Sequence, residues 1–188
     1  MKYCYGLLLA LLLVVAGCKE KKENQKSHEQ LIFQMEAVDE KTGLQRMQVS
    51  KIKQQIVCQN KKYQLSIDRV PCDSLPQVKG EGGMFADNVI TLHIQREKGG
   101  KVVYKRFTKR DFKAFLPEAF YKNSILEGVV FDEESTEQAK EIILAASVCV
   151  PMSDIYVPFS IKVSSKGGLT IQRNESMEEV PLPEETKE

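Results

Sequence analysis

The stretch "VITLHIQREKGGKVVYKRF", residues 89–107, decides the fold. Ile90, Leu92 and Ile94 alternate with Thr91 and His93, the two-residue period of a strand with one buried face. "EKGG" at 97–100 then supplies two glycines, which accept the positive φ that a tight reversal demands. "KVVYKRF" returns as the partner strand. The same grammar recurs downstream. "IYVPFSIKV" (155–163) puts Ile155, Val157, Phe159, Ile161 and Val163 on one face, "SSKGG" (164–168) turns, and "LTIQR" (169–173) returns. Upstream, "YQLSIDRV" (63–70) alternates Tyr63, Leu65 and Ile67 with Gln64, Ser66 and Asp68.

The rest of the middle follows from these hairpins. Pro158 cannot donate to a ladder, so its strand is expected at an edge or with a bulge. "ILEGVVF" (125–131) reads as a strand. "EIILAASVCV" (141–150) is apolar nearly throughout, as expected of a strand covered on both faces, and is favoured over a helix continuing from Ser135. Thr108 before "KRDFKAFL", with Asp111 three residues on, predicts a short helix with Phe112, Phe115 and Leu116 on one side. Pro117 ends it and opens a further turn at "PEAF". The expected class is mainly β, with α+β as the variant: an antiparallel sandwich or partly open barrel of hairpins with one short helix. "LIFQMEAV" at the head of residues 31–50 fits strand and helix equally, so the role of that segment stays open.

Both ends of the 188-residue chain differ in character from its middle. "LLLALLLVVAGCKEKKENQKS" (7–27) is apolar up to Gly17-Cys18 and charged from Lys19. The apolar run of about a dozen residues spans roughly 18 Å as a helix, too short for a bilayer core of roughly 30 Å. With Lys2 ahead of it, it reads as a secretory signal. Val15-Ala16-Gly17-Cys18 resembles the lipobox of bacterial lipoproteins. That resemblance implies cleavage after Gly17, lipidation of Cys18 and a membrane partner. Several acyl chains on one residue hold far better than one, at about 0.8 kcal/mol per buried methylene. The expected organisation is signal 1–17, lipidated Cys18 with a charged tether to residue 30, a β-rich domain 31–173, and an acidic tail 174–188.

Removing residues 1–17 leaves 171 residues, with 26 Lys+Arg (27 less Lys2) against 26 Asp+Glu. This balance lacks the basic excess that nucleic acid wants. Of the cysteines, Cys58, Cys72 and Cys149 remain after the signal and Cys18, an odd number that allows at most one disulfide. Cys58 and Cys72 bracket a strand that would hold them too far apart, and no pairing is the expectation. No cofactor or metal is expected: His28 and His93 are far apart, and "DN" (87–88) and "FDEE" (131–134) read as acidic turns rather than calcium loops. No nucleophile motif surrounds Ser147, and His93 reads as a plain strand-face histidine, so an enzyme is not expected.

The sharpest charge feature is a candidate basic patch, Lys98, Lys101, Lys105, Arg106, Lys109, Arg110 and Lys113 against Asp111. It could meet lipid phosphate or an acidic glycan. A solvated hairpin edge, where lysines block edge-to-edge pairing, gives the same pattern.

The order "YQLSIDRVP", "LPQV", "FADNVITLHIQR", "FTKRDF", "ILEGVVFD" and "LAASVCVPMSDIYVPFSIKV" across residues 50–173 resembles a family of uncharacterised lipoproteins of gut-dwelling anaerobic bacteria, domain of unknown function 4738. The resemblance implies an exported lipoprotein and carries over no catalytic residue. Two functions are expected to compete. One is a lipid-anchored, non-catalytic binding or assembly module of the cell envelope, at the outer membrane, meeting an envelope protein or glycan. The other is a carrier of an apolar ligand in a barrel pocket. A carrier needs an apolar cavity, and a binding module a filled core with an exposed patch.

Overall fold

The structure is a computed structural model that describes residues 35–174. The signal, Cys18, the tether, residues 31–34 and the tail beyond Asn174 lie outside the described residues. Eleven strands are present: β1 Leu44–Gln45, β2 Ser50–Cys58, β3 Lys61–Pro71, β4 Val78–Gly80, β5 Gly83–Phe85, β6 Asn88–Arg96, β7 Lys101–Phe107, β8 Ile125–Phe131, β9 Ile142–Cys149, β10 Tyr156–Val163 and β11 Leu169–Arg173.

The chain builds one antiparallel sheet and then another. The first has the order β2-β3-β6-β7 and the second β11-β10-β9-β8. Each is a meander: between β3 and β6 the short β4 and β5 pair with each other, with β1 joining β5 in parallel, and between β8 and β9 comes a helix. The alternation sets which side chains meet. Leu65, Leu92 and Ile94 from the first sheet and Leu144, Phe159 and Ile161 from the second belong to one buried cluster, each at most 2% exposed. Burying such a side chain contributes about 1.5–3 kcal/mol. The fold is therefore mainly β, two sheets packed face to face as a sandwich.

Both glycine pairs turn hairpins, as their composition predicts. Gly99 (φ 93°) and Gly100 (φ 94°) reverse β6 into β7, and Gly167 (φ 85°) reverses β10 into β11.

The helices differ from expectation in number and type. Lys109–Phe115 is a 3-10 helix, with the Asp111 carboxylate accepting the Thr108 backbone N–H at 2.8 Å. It sends Phe112 into the core, where its ring centroid lies 4.8 Å from that of Phe159. Pro117 caps a second turn, Glu118–Lys122. A third helix, Glu133–Ala139, occupies what reads in sequence as an acidic turn. Asp132 caps it by accepting from the Ser135 N–H, and Lys140 in the left-handed region (φ 55°) ends it. Helix and strand are thus both present in this region, because the helix stops before β9 begins at Ile142.

Pro158 also corrects the sequence reading. It lies in a central strand, not an edge or a bulge, paired opposite Ser147 of β9. Its carbonyl accepts from Asn174 N–H on the β11 side, so its missing donor faces that side too. The β11 ladder ends one residue away, at Phe159–Arg173, so the missing donor costs one bond, at the frayed end opposite Asn174.

Residues 35–50 belong to the fold. Met35 bridges Met47, and Leu44 and Met47 are 3% and 1% exposed. Met47, Val78, Ile125 and Cys149 form a second small cluster, with Met35 and Tyr156 packed against it. Cys58, Cys72 and Cys149 are all free thiols.

The two glycine turns generate a prediction. A Cβ on Gly167 would lie 2.1 Å from the Val102 carbonyl oxygen, whereas one on Gly99 would meet nothing within 4 Å. Gly99→Ala should cost only left-handed strain, about 1–2 kcal/mol. Gly167→Ala adds a backbone clash and should cost clearly more in urea unfolding. Equal losses would show that the β10–β11 turn does not press on β7.

Candidate binding face and the buried polar pin

The sequence patch of seven basic residues does not survive as one surface. Lys109 is 7% exposed and turns inward. Lys105 pairs with Asp111, and Lys113 with Glu118 while also lying 5.1 Å over the Tyr121 ring. Arg110 is exposed on the 3-10 helix, and Lys98 is exposed in the β6–β7 turn. Lys101 and Arg106 point outward from β7, because they pair with the outward residues Gln95 and Thr91 of β6. A bulge between Ile94 and Gln95 keeps Lys101 on this side.

The registers join these two cations to residues distant in sequence. Across β2, β3, β6 and β7 the outward rows read Lys51–Asp68–Thr91–Arg106, then Lys53–Ser66–His93–Tyr104, then Gln55–Gln64–Gln95–Lys101. Lys62 follows on β3. The Lys101 ammonium sits 4.8 Å from the centre of the Tyr104 ring, and His93 meets Tyr104 edge-on. Sequence reasoning missed Lys51, Lys53 and Lys62, since only strand pairing brings β2 and β3 beside β7. Their signal was the outward phase of the alternation.

The second feature is buried. Asp87, 3% exposed, sits just before β6. Its Oδ1 accepts the backbone N–H groups of Asn88 and Leu126, each at 2.8 Å, and its Oδ2 lies 3.7 Å from the Lys109 ammonium. Lys109 also donates to the Ser124 carbonyl. Asn88 donates to the Leu126 carbonyl at 2.9 Å. Close by, Arg69 of β3 donates to the Glu127 carbonyl at 2.9 Å, which the β8 bulge between Leu126 and Gly128 exposes, and to the Gln48 carbonyl at 3.2 Å. Burial pushes the Asp87 carboxyl up, against the pull of Lys109, and pushes Lys109 down, against the pull of Asp87. Burial also raises the Cys149 thiol strongly, which keeps it protonated and unreactive. "DN" at 87–88 is therefore not the exposed acidic turn that its composition suggests.

A family described as a domain of unknown function, DUF4738, matches residues 29–171. The chain belongs to that family. The DUF4738 match takes in both sheets, the polar pin and the described segment before β2. No curated protein matches the chain.

Within the DUF4738 domain two other places were candidates for chemistry. An open groove of about 820 Å³ lies between the 133–139 helix and β10–β11, lined by Ser135, Gln138, Ser160, Lys162 and Gln172 among others. It presents amides and hydroxyls without a paired acid and base. Among the described residues no group of three or more His, Cys, Asp and Glu side chains is placed to hold a metal.

The pin can be tested by a double-mutant cycle. Lys109→Met leaves the Asp87 carboxylate buried without its counter-charge and should cost about 3–5 kcal/mol. Adding Asp87→Asn removes that charge and should restore a substantial part. Urea unfolding that gives additive losses would show that the two do not interact. Burial raises the folded pKa of Asp87 above its ordinary 3.8. Its contribution to stability is therefore full below that value and lost as pH rises through the folded one. Asp87→Asn should remove that part of the pH dependence.

Proposed function

We propose that the chain is a lipid-anchored lipoprotein of the bacterial envelope, held at the outer membrane through Cys18, whose domain is a non-catalytic binding or assembly module. The observation that carries the reading is a filled sandwich with one uncovered, charged sheet face. A carrier would need an apolar cavity between the sheets. Phe107, Phe112 and Phe159 occupy that space, each with 0% exposure, which favours binding at a surface over carriage inside. His93 contacts the Tyr104 ring rather than a nucleophile, which favours a non-catalytic role. The anchor rests on the sequence at Val15-Ala16-Gly17-Cys18, and membrane attachment there calls for no spanning helix.

Two measurements test this. Cells fed labelled palmitate should label the wild-type protein and not Cys18→Ser, and only the wild type should fractionate with membrane. A Cys18→Ser protein that stays membrane-bound and labelled would sink the anchor. Crosslinking in intact cells should trap an envelope component against the domain. Turnover of a small substrate by the purified protein would instead overturn the non-catalytic reading.

A further inference from the structure

The outward face of β2-β3-β6-β7 carries an imbalance that no ion pair among the described residues resolves. Lys51, Lys53, Lys62, Lys101 and Arg106 stand on it against Asp68 and, at its margin, Glu97, whose carboxylate accepts from Gln55. None of these five cations makes an ion pair, although Lys105, Lys109, Lys113 and Lys122 elsewhere all do. Blocking edge-to-edge pairing explains lysines on an edge strand. It does not explain Lys62 on β3, an interior strand of the sheet.

The other groups on the face narrow the partner. Gln55, Gln64 and Gln95 lie opposite one another in one row, all exposed. An amide offers both donor and acceptor, which suits hydroxyl groups. Tyr104 is 54% exposed and presents an aromatic surface beside them. A lipid surface would instead call for protruding apolar side chains around the cations. Among the described residues, the exposed aliphatic groups on the outward side lie near its ends, Val49 and Val70 at one and Val57 at the other. With strands about 4.8 Å apart, the four-strand rows extend about 14 Å, room for several sugar rings of an extended chain.

We propose that this face binds an acidic polysaccharide, a carboxylate-bearing glycan laid across the four strands. Its carboxylates meet Lys51, Lys53 and Arg106, its hydroxyls meet the glutamine row, and one ring packs on Tyr104. The proposal deepens the binding-module reading and rests on it.

The test uses the full chain carrying Cys18→Ser, with polygalacturonate as the acidic probe, dextran as the neutral one, and phosphatidylserine vesicles as the lipid one. Binding to polygalacturonate, absent for dextran and lost at about 0.5 M salt, is the expected result. Lys51→Glu with Lys53→Glu should weaken it at least tenfold, and Tyr104→Ala severalfold. Lys162→Glu, on the other sheet, should leave it unchanged. Should the charge reversal disturb folding, Lys51→Gln with Lys53→Gln gives the same direction, checked against an unchanged melting transition. Three outcomes overturn the proposal: no binding to polygalacturonate, an equal loss from Lys162→Glu, or vesicle binding that the face variants abolish without polymer binding. An envelope component still crosslinked to the domain under any of these would leave the binding-module reading standing and remove only the glycan.

Discussion

The sandwich depends on how the chain passes from its first sheet to its second, and Asp87 fixes that passage. Between β7 and β8 lie the 3-10 helix and one short α-helical turn. Asp87 at the foot of β6 reaches both ends of this connection, Lys109 on the helix and the Leu126 N–H in β8. Asn88 closes the other side through the Leu126 carbonyl. The start of β8 is thereby held to the start of β6, and the inner faces of the two meanders come into phase. A buried pair of this kind adds little net stability, because desolvation of both charges offsets their attraction. Its effect is specificity: a shift of one residue in β8 would exchange its inner and outer side chains and strand the carboxylate.

The pin also explains why the basic run of residues 98–113 splits. Seven cations close in sequence would repel one another on one surface. The strand period sends Arg106 outward and the bulge brings Lys101 to the same side, while Lys105 points toward the 3-10 helix and its Asp111. The helix then rotates Lys109 into the interior, where Asp87 meets it. One sequence feature thus serves two ends: part holds the sheets together, and part joins Lys51 and Lys53 on the open face.

Alternation made β3, β6, β7, β10 and β11 legible, since each has one face in the core and one outside. The glycine pairs were legible because positive φ has few other causes. Asp87 and Lys109 were not, because a buried pair separated by 22 positions leaves no periodic trace. The 133–139 helix was hidden for another reason. Its sequence, EESTEQA, has no apolar stripe, and its stability comes from the Asp132 cap and from Thr136, which exchanges hydrogen bonds with Ile143 of β9. The segment before β2 was ambiguous because its contribution is a few isolated side chains, Leu44 and Met47 above all, and a strand of two residues, too short to leave a period.

The two sheets are unlike in what covers them. The second is covered on its outer side by the small cluster of Met47, Val78, Ile125 and Cys149 at one end and by the 133–139 helix over Ile143 toward the other. Its strand β9 is accordingly apolar on both faces, which is why "EIILAASVC" lacks alternation. The first sheet alternates cleanly because its outer face is open over much of its length, where Lys53, Gln55, Gln64, Gln95 and Tyr104 are exposed. Regular alternation in β3 and β6 is therefore more than a mark of secondary structure. It marks a face with water on one side, and the unpaired cations on it are what an open face would present to an anionic partner.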